Sequence, residues 1–355
     1  MSRADRVVER MRGRQLDLML VTDLTNLRYL TGFTGSNGMA VIGRDVRRFV
    51  TDFRYAEQAR HQVEDFDLEQ GPQDFIGALG QGWPDGALRL GFEDDRVSVR
   101  RHRRLRDVVP DRIELAAGGG LVEAERAVKE PGEIERIRAA AELADGIYEW
   151  LLEQGIVGRT ERELAVALEH EMRVRGADDP SFPSIVASGE RGAFPHAVRT
   201  DETIPARTLV TLDLGARLDG YCSDCTRTWA TGELPEDLAE AYALVQRAQA
   251  AGLAEVRPGP TGREVDAVAR GIIEAAGHGE HFGHGLGHGV GLDVHEAPRL
   301  ARTGGDPLEA GNVVTVEPGV YLPGRGGVRI EDLVVVTEAG HDVLTSTTKD
   351  LVVVE

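Results

Sequence analysis

The sequence has few cysteines, which argues against a fold held together by disulfide bonds or by a structural zinc ion. Cys222 and Cys225 are the only two cysteines among 355 residues, too few for a framework of disulfide bonds. Their C-x-x-C spacing lacks the second pair of ligands that a structural zinc site needs. The segment around them is predicted to be a strand, in which residues 222 and 225 point to opposite faces. We therefore interpret both thiols as buried core side chains.

Long apolar runs are also missing. The segment from Met1 to Gln15 is crowded with charges and lacks the apolar stretch that a secretory signal needs. No uncharged run comes close to the roughly 18 residues that suggest a membrane span. We therefore expect a cytoplasmic protein that does not bind membranes.

Positive charge is scarce relative to negative charge. The chain carries 60 Asp and Glu against 41 Lys and Arg, for a formal net charge of −19. Proteins that bind nucleic acid need a positive surface to meet the phosphates, so no nucleic-acid partner is expected. Only two basic residues are lysines, Lys129 and Lys349. We attribute this bias to the overall composition and not to a function of arginine.

The length favours two domains, because single cores rarely grow beyond about 250–300 residues. The first third alternates short apolar runs with charged amphipathic stretches, a pattern typical of a small α/β domain. The glycines of 118–120 mark a junction, and Pro131 suits the first turn of a following helix. We predict an N-terminal domain over residues 1–125 and a second domain over residues 126–355.

The second domain contains a faint internal repeat. Thr160–Glu163 and Thr261–Glu264 are both capping-box sequences, each with a Thr followed by a Glu three residues later. Each opens an amphipathic helix that ends near a glycine, Gly176 or Gly277. Strand-rich sequence follows in both halves. The matching order predicts an internal duplication with pseudo-twofold symmetry.

Two carboxylates lie within an apolar hairpin of the first half. Asp213 and Asp224 flank Asp219-Gly220, which is a strong signal for a two-residue hairpin turn. With that turn Asp213 lies opposite Thr226 and Asp224 lies opposite Gly215, so both carboxylates share one face. They are then roughly 5–8 Å apart at the backbone. Ionised carboxylates this close repel each other unless a cation lies between them.

The second half repeats this construction. Glu317 and Glu331 lie on two apolar strands that flank a loop around Gly324. A three-residue loop centred there puts Glu317 directly opposite Glu331. Either acidic pair alone is equally compatible with solvated edge residues. Four carboxylates on apolar strands together predict a cation site.

A glycine-rich segment supplies imidazoles. Glycines at alternate positions from 283 to 291 disfavour a helix, so the segment is predicted to be extended or looped. His284 and His288 are then up to about 13 Å apart and need not bind the same ion. Seven residues of largely extended chain also separate His288 from His295, too far for both to reach one ion without a sharp reversal of the chain. The sequence has no H-E-x-x-H motif, which argues against a single-zinc protease.

Four carboxylates and one imidazole suit a pair of divalent ions such as Mn²⁺, Co²⁺ or Zn²⁺. These motifs resemble those of the pita-bread metallopeptidases, in particular the aminopeptidase P and prolidase branch. The resemblance spans essentially the whole chain and is carried by LDLGARLDGYCSD, GHGLGHGVGLDVHE, VTVEPGVY and VRIEDLVVV. It implies an α/β N-terminal domain plus an α+β pita-bread catalytic domain with a curved antiparallel sheet.

The resemblance also implies roles for single residues. The five implied metal ligands are Asp213, Asp224, His288, Glu317 and Glu331. Asp213 and Asp224 would hold one ion, His288 and Glu317 the other, and Glu331 would bridge the two. Glu317 would also take the proton of the attacking water. Mn²⁺ is the expected metal, with Co²⁺ or Zn²⁺ as alternatives.

Further residues match positions around those ligands. The resemblance implies that three histidines, His196, His284 and His295, hold the peptide carbonyl and the proline nitrogen. It implies that Arg329 and Tyr321 steady the ligands. The alternative for each of these residues is hydrogen bonding in the core with no role in turnover.

The implied activity is that of an Xaa-Pro aminopeptidase, which hydrolyses the bond between an N-terminal residue and a following proline. An Xaa-Pro dipeptidase with the same mechanism is the alternative. The choice depends on what closes the site beyond proline, with Arg54 or another arginine meeting a free carboxylate. A non-catalytic binding protein on the same fold is a remote alternative. The resemblance further implies a homodimer.

Overall fold

A computed structural model describes residues 1–354. The chain divides into two compact units, one from Met1 to Arg126 and one from Ala127 to the end of the described residues. Within residues 1–354, every helix is too short or too polar to cross a membrane.

The first unit is a six-stranded mixed sheet accompanied by helices. Its strands are β1 Leu18–Val21, β2 Gly38–Gly43, β3 Arg47–Thr51, β4 Asp67–Gln70, β5 Leu88–Phe92 and β6 Ile113–Ala117. Its helices are α1 Arg3–Gly13, α2 Leu24–Thr31, α3 Ala56–Gln62, α4 Val99–Val108 and α5 Leu121–Arg126. The strand order is β4-β3-β2-β1-β5-β6, with β1 antiparallel to β2 and parallel to β5. This is the α/β unit that the sequence predicts.

The second unit has four helices that form two similar pairs. They are α6 Pro131–Gln154, α7 Glu161–Val174, α8 Glu236–Glu255 and α9 Gly262–Ala275. Pro131 occupies the first turn of α6, as predicted. Helices α7 and α9 each have 14 residues, and each begins at a complete capping box, formed by Thr160 or Thr261. The predicted repeat is therefore present at the level of helices.

The strands of the second unit form small, mostly antiparallel sheets. In the first half they are β7 Asp179–Pro180, β8 Ile185–Ser188, β9 Leu209–Leu214, β10 Ala216–Leu218, β11 Tyr221–Cys222 and β12 Cys225–Ala230. In the second half they are β13 Gly287–Gly289, β14 Glu296–Leu300, β15 Val313–Val316, β16 Gly319–Leu322, β17 Gly326–Arg329, β18 Asp332–Val336 and β19 His341–Val343. The sheet orders are β11-β10-β7, β12-β9-β8, β14-β13-β15-β18-β19 and β16-β17.

The first acidic hairpin has the predicted register. Asp213 lies opposite Thr226 in the β9–β12 ladder, and Leu218 lies opposite Tyr221 across the two-residue turn. The hairpin leaves one sheet and enters another at Gly215, where an added Cβ would lie 2.0 Å from the carbonyl oxygen of Ser223. Only glycine permits this close approach of the two backbones.

The second acidic hairpin also has the predicted register. Val316 lies opposite Asp332, and Gly319 lies opposite Arg329, so Glu317 faces Glu331. The connecting loop has three residues centred on Gly324, since Leu322 pairs with Gly326. Both hairpins therefore pass from one small sheet into another at their acidic residues. This change of sheet gives the curved antiparallel arrangement that the pita-bread resemblance implies.

The two halves join directly beneath the acidic residues. The backbone N–H of Glu331 donates to the carbonyl oxygen of Thr226 at 3.1 Å. On the outer side, α6 and α7 pack on β9 and β12 through Tyr148 and Trp229, which are buried in one cluster. Helices α8 and α9 pack on β15–β18 in a second cluster that includes Val316. In each half, one pair of helices thus packs on the strands, and the acidic residues lie on those strands.

The two cysteines are both unpaired and buried. Cys222 packs in one apolar cluster, whereas Cys225 packs in the cluster beneath α6 and α7. Cys222 lies in β11 and Cys225 in β12, which belong to different sheets, so the single strand predicted around them is interrupted at residues 223 and 224. Burial also raises the pKa of the Cys222 thiol to about 11, which keeps this thiol protonated and unreactive at neutral pH.

Candidate metal centre

The two acidic hairpins and the histidine segment meet in one cluster. Asp224, His288 and Glu331 each offer a ligand atom, and these atoms all lie within 4.8 Å of one another. The Nε2 atom of His288 is 3.6 Å from Oδ2 of Asp224 and 3.3 Å from Oε1 of Glu317. The fifth predicted ligand, Asp213, lies outside the group of three and is held by a guanidinium.

Arg329 fixes Asp213 in position. Its Nη2 atom donates to Oδ2 of Asp213 at 2.7 Å, and both side chains are buried. The Nη1 atom donates to the hydroxyl of Tyr321 at 2.9 Å and to the carbonyl oxygen of Pro195 at 3.1 Å. A planar guanidinium with several fixed acceptors holds a carboxylate in one orientation. The predicted pair of Arg329 and Tyr321 is therefore in contact with the acidic cluster.

Thr226 joins the two hairpins through its hydroxyl. The hydroxyl donates to Oε2 of Glu331 at 2.7 Å and accepts from Nε of Arg329 at 3.0 Å. The register predicted from the sequence puts Thr226 opposite Asp213, but no role for Thr226 was predicted. The signal was available, since a residue directly opposite a ligand on the same sheet face must lie near it.

Two buried carboxylate oxygens lack a protein partner. Oδ1 of Asp213 and Oε1 of Glu331 have no hydrogen-bond partner among residues 1–354. A buried polar atom left in this state costs about 1–3 kcal/mol. The partners of these carboxylates occupy Oδ2 and Oε2 and leave these two oxygens for another group. A cation is the partner that such anionic oxygens accept most readily.

The raised pKa values of the carboxylates also indicate a cation site. Burial, together with the charges of Glu331, Asp213 and Glu317, raises the pKa of Asp224 well above its ordinary value. Burial and the charges of Glu317 and Asp213 do the same to the pKa of Glu331. Divalent cations would offset this desolvation and repulsion. The donor set therefore fits a pair of divalent ions.

Glu317 and His288 lie in direct contact, with Nε2 of His288 3.3 Å from Oε1 of Glu317. Burial alone would raise the pKa of Glu317, but the contact with His288, together with the nearby His284 and Arg329, outweighs it and lowers this pKa to about 2. Burial alone would lower the pKa of His288, yet Glu317 raises it above the ordinary value. The hydroxyl of Thr315 also donates to Oε1 of Glu317 at 3.3 Å.

Close backbone packing presents the His288 ring to the carboxylates. An added Cβ at Gly287 would lie 2.0 Å from the carbonyl oxygen of Thr315, and one at Gly289 would lie 2.2 Å from that of Ala297. Glycine on both sides of His288 lets β13 lie between β14 and β15. The Nδ1 atom of His288 is 3.1 Å from the carbonyl oxygen of Gly289 and donates to it. Because Nδ1 makes this bond, Nε2 is the nitrogen that faces the carboxylates.

The other three predicted histidines lie outside the group formed by Asp224, His288 and Glu331. His284 is half-buried, with Nδ1 2.8 Å from the carbonyl oxygen of Gly285 and Nε2 2.8 Å from the hydroxyl of Tyr321. His295 is exposed, and its ring centroid lies 4.3 Å from that of His288. His196 is exposed and follows Pro195, whose carbonyl oxygen Arg329 binds.

The distance between His288 and His295 corrects one prediction. An extended chain over the seven residues between them would keep the two rings far apart. In fact β13 and β14 are antiparallel, so the chain reverses between the two histidines. Residues 291–295 form the bend that brings the rings into contact. Spacing along the chain is therefore no argument for excluding His295 as a ligand.

Arg299 is a residue of this region that sequence analysis missed. It lies opposite His288 in the β13–β14 ladder, and its side chain is exposed. Directly opposed residues of an antiparallel pair project from the same face. The sequence held no signal for this pairing, because the register shifts between His288 and Gly289.

Comparison with known proteins gives the family. Residues 135–338 match the model of Metallopeptidase family M24, and residues 3–128 match the Creatinase/Prolidase N-terminal domain. The chain belongs to metallopeptidase family M24. The predicted resemblance to pita-bread peptidases is thereby confirmed, and membership identifies the chain as a metal-dependent hydrolase.

Similar proteins span the full length of this M24 peptidase. The uncharacterized peptidase YqhT of Bacillus subtilis is 46% identical over 344 residues, which cover 95% of this chain and 96% of the relative. The Xaa-Pro dipeptidase of Pyrococcus horikoshii is 34% identical, with 98% and 97% of the two chains covered.

Solved structures of similar proteins also cover both units. The Xaa-Pro dipeptidase from Bacillus anthracis is 39% identical with a TM-score of 0.94, and 99% of each chain is covered. The X-Pro aminopeptidase from Thermotoga maritima is 35% identical with a TM-score of 0.88, and 100% of each chain is covered. The M24 fold of this chain is therefore shared with peptidases of both substrate lengths.

Proposed function

We propose that this M24 peptidase hydrolyses the bond between an N-terminal residue and a following proline. The observation that carries the proposal is the buried cluster of four carboxylates and one imidazole, in which Oδ1 of Asp213 and Oε1 of Glu331 lack a protein partner. Relatives that span the whole chain and are named for Xaa-Pro bonds support the substrate class.

Five residues would hold two divalent ions in this proposal. They are Asp213, Asp224, His288, Glu317 and Glu331, with Mn²⁺ as the first candidate and Co²⁺ or Zn²⁺ as alternatives. When bound, such ions lower the pKa of a water and polarise the scissile carbonyl. The low pKa of Glu317 keeps its carboxylate ionised in the metal-free protein.

The remaining chemistry falls to side chains around the cluster. Glu317 would take up the proton of the attacking water on its carboxylate. The imidazoles of His196 and His295 are exposed and would meet the substrate, with His284 held against Tyr321 behind them. Proline has no N–H, so these groups would recognise the scissile carbonyl and the ring nitrogen. Arg329 would keep Asp213 oriented.

Within this class we propose a dipeptidase, which was the alternative to the aminopeptidase predicted first. The similar proteins named as Xaa-Pro dipeptidases support this choice. A dipeptide ends in a free carboxylate after proline, and a guanidinium binds a carboxylate through strong charge-assisted hydrogen bonds. Arg299 fits this role, because it is exposed and shares a face with His288. Arg54 fits it less well, since Asp52 already binds its guanidinium at 2.8 Å.

Peptides of different length test the proposal. Metal-loaded protein is incubated with Xaa-Pro, Xaa-Pro-Yaa and Xaa-Ala, and kcat/KM is compared. We expect Xaa-Pro to be cleaved fastest and Xaa-Ala to be cleaved poorly. Faster cleavage of Xaa-Pro-Yaa than of Xaa-Pro would favour the aminopeptidase. Equal cleavage of Xaa-Ala and Xaa-Pro would contradict proline specificity.

The oligomeric state, the domain boundary and the cellular location of the enzyme are also proposals. We propose a homodimer whose chains each divide near residue 125, acting in the cytoplasm, where two unpaired thiols stay reduced. Light scattering at working concentration tests the dimer. A monomer with normal activity would contradict it.

A further inference from the structure

A carboxylate outside the proposed metal centre holds the segment that carries His196. Glu161 is the first residue of α7 and is 0% exposed. It accepts five hydrogen bonds from three residues of one segment. The donors are Ser188 N at 2.9 Å, Ser188 Oγ at 3.2 Å, Arg191 Nε at 2.9 Å, Thr200 N at 3.3 Å and Thr200 Oγ1 at 2.9 Å.

These contacts close residues 188–200 into a loop. Its two ends, Ser188 and Thr200, bind the same carboxylate, so Glu161 sets the distance between them. The loop exposes two apolar side chains, Phe194 at 59% and Val198 at 77%. In its middle the loop packs on β17, where an added Cβ at Gly192 would lie 3.1 Å from the backbone nitrogen of Gly327. The polar contacts with Glu161 fix its two ends.

The far side of the same loop touches the metal-centre residues. The carbonyl oxygen of Pro195 accepts from Arg329, and Arg329 also donates to Asp213 at 2.7 Å. His196 is the next residue. The loop thus places His196 beside the site from the half of the domain opposite to His288.

Glu161 is not needed to begin its helix. The capping box of α7 is made by Thr160 and Glu163. In the repeated helix α9 the equivalent of Glu161 is Gly262, where an added Cβ would lie 2.0 Å from the carbonyl oxygen of Arg299. A helix of this design therefore starts without a carboxylate at that position. The carboxylate of Glu161 therefore serves the loop.

We propose that Glu161 is a positioning residue that acts through residues 188–200 to hold His196 against the substrate. This inference rests on the proposed function, because His196 is placed there as a substrate-binding group. A group held in the reacting geometry lowers the barrier more than the same group on a mobile loop. Glu161 therefore affects turnover without touching the substrate.

Glu161→Gln tests this role, with Glu163→Gln as the matched control two residues along α7. The first change keeps the shape but turns a pure acceptor into a donor that faces the donors of the loop. The second weakens only the capping box. We expect Glu161→Gln to lower kcat/KM for Xaa-Pro by about 10-fold or more with unchanged metal content, since misplacement by about 1 Å can cost up to 10²-fold. Glu163→Gln should stay within about twofold of wild type, like most surface changes.

A double-mutant cycle with His196→Ala separates positioning from a general loss of structure. If Glu161 acts through His196, Glu161→Gln should cause no further loss in the His196→Ala background. The same fold loss in both backgrounds would overturn the proposal. If Glu161→Gln does not fold, Thr200→Val removes one donor and takes its place in the cycle.

Hydrogen exchange provides a readout that does not depend on activity. Amides of residues 189–199 should exchange faster in Glu161→Gln than in Glu163→Gln, whereas those in the middle of α7 should not differ. Unchanged exchange in this segment would overturn the proposal. Failure of the wild-type protein to cleave Xaa-Pro would refute the proposed function, and exchange would still decide whether Glu161 holds the loop.

Discussion

The Nε2 atom of His288 lies 3.3 Å from Oε1 of Glu317. Both residues are proposed metal ligands, so in the metal-free protein they bind each other through the atoms that would bind the ions. A proton on His288 and a divalent cation are then alternative partners for the same carboxylate. Metal loading must break this ion pair and release the proton. The predictions on metal content and on pH both follow from this competition.

The first prediction separates the two adjacent imidazoles. His288 presents Nε2 to the carboxylates, whereas His295 is exposed and contacts His288 edge to face. We expect His288→Ala to lose metal as well as activity. We expect His295→Ala to keep its metal and lose about 10²–10³-fold in turnover, the range for removing one transition-state donor. Metal analysis beside kinetics on both purified variants measures this difference.

The short distance between these rings makes a double variant the useful control. If His295 replaced a missing His288, the single variant His288→Ala would retain some metal and the double variant would lose it. Loss of metal in His295→Ala with full loading in His288→Ala would show that the two roles are reversed.

The second prediction concerns metal content. Wild type should bind about two divalent ions per chain, and a chelator should abolish hydrolysis. Asp224→Asn keeps the shape of a buried side chain but removes its charge, so bound metal and activity should fall together. Asp145→Asn is the matched control, because Asp145 is about equally buried but accepts hydrogen bonds from Ser346 and Thr347. It should lower stability and leave metal content unchanged. Full activity in stripped protein under chelator would contradict metal-dependent hydrolysis.

The hairpins show how much of the site was predictable from sequence. Side chains alternate with a period of two along a strand, and the Asp219-Gly220 turn fixed the register. These two facts placed Asp213 opposite Thr226, and a loop centred on Gly324 placed Glu317 opposite Glu331. Local turn chemistry was sufficient because each acidic pair belongs to one hairpin.

Contacts between separate segments could not be predicted from turn type and strand alternation. The bend at residues 291–295 and the shifted register after His288 brought His295 and Arg299 beside His288. The five donors on Glu161 come from residues 27 to 39 positions away. No short-range pattern encodes such contacts, because they depend on how the strands and the loop pack in three dimensions.

The third prediction is that the metal-free protein loses stability as pH rises from about 5 to 8. Asp224 and Glu331 have raised pKa values, so above their ordinary pKa the native state binds more protons than the unfolded state, and stability falls with pH. His288 also has a raised pKa, and the stability it contributes below its ordinary pKa of 6.5 is lost as pH rises. The depressed pKa of Glu317 acts only at lower pH, where its contribution is lost as pH falls toward 2.

Urea unfolding of chelated protein at several pH values measures this effect. The midpoint should fall with rising pH in wild type, and the decline should be shallower in Asp224→Asn, which lacks one titrating carboxylate. Metal-loaded protein should show the opposite trend, because deprotonated ligands bind cations more tightly. A chelated protein that is more stable at pH 8 than at pH 5 would contradict the raised pKa values.

The last prediction is that Arg299 binds the free carboxylate of a dipeptide and so favours substrates of that length. This side chain is exposed and lies opposite His288, where it can bind the carboxylate that ends an Xaa-Pro dipeptide. Losing a charge-assisted hydrogen bond costs about 1.5–3 kcal/mol, so Arg299→Gln should lower kcat/KM for Xaa-Pro by about 10- to 100-fold. An Xaa-Pro amide lacks the carboxylate and should be cleaved equally by variant and wild type. Arg302→Gln is the control, since this exposed arginine binds Glu274 at 3.0 Å, and should change neither rate. Equal losses of kcat/KM for Xaa-Pro and for its amide would mean that Arg299 does not bind the carboxylate.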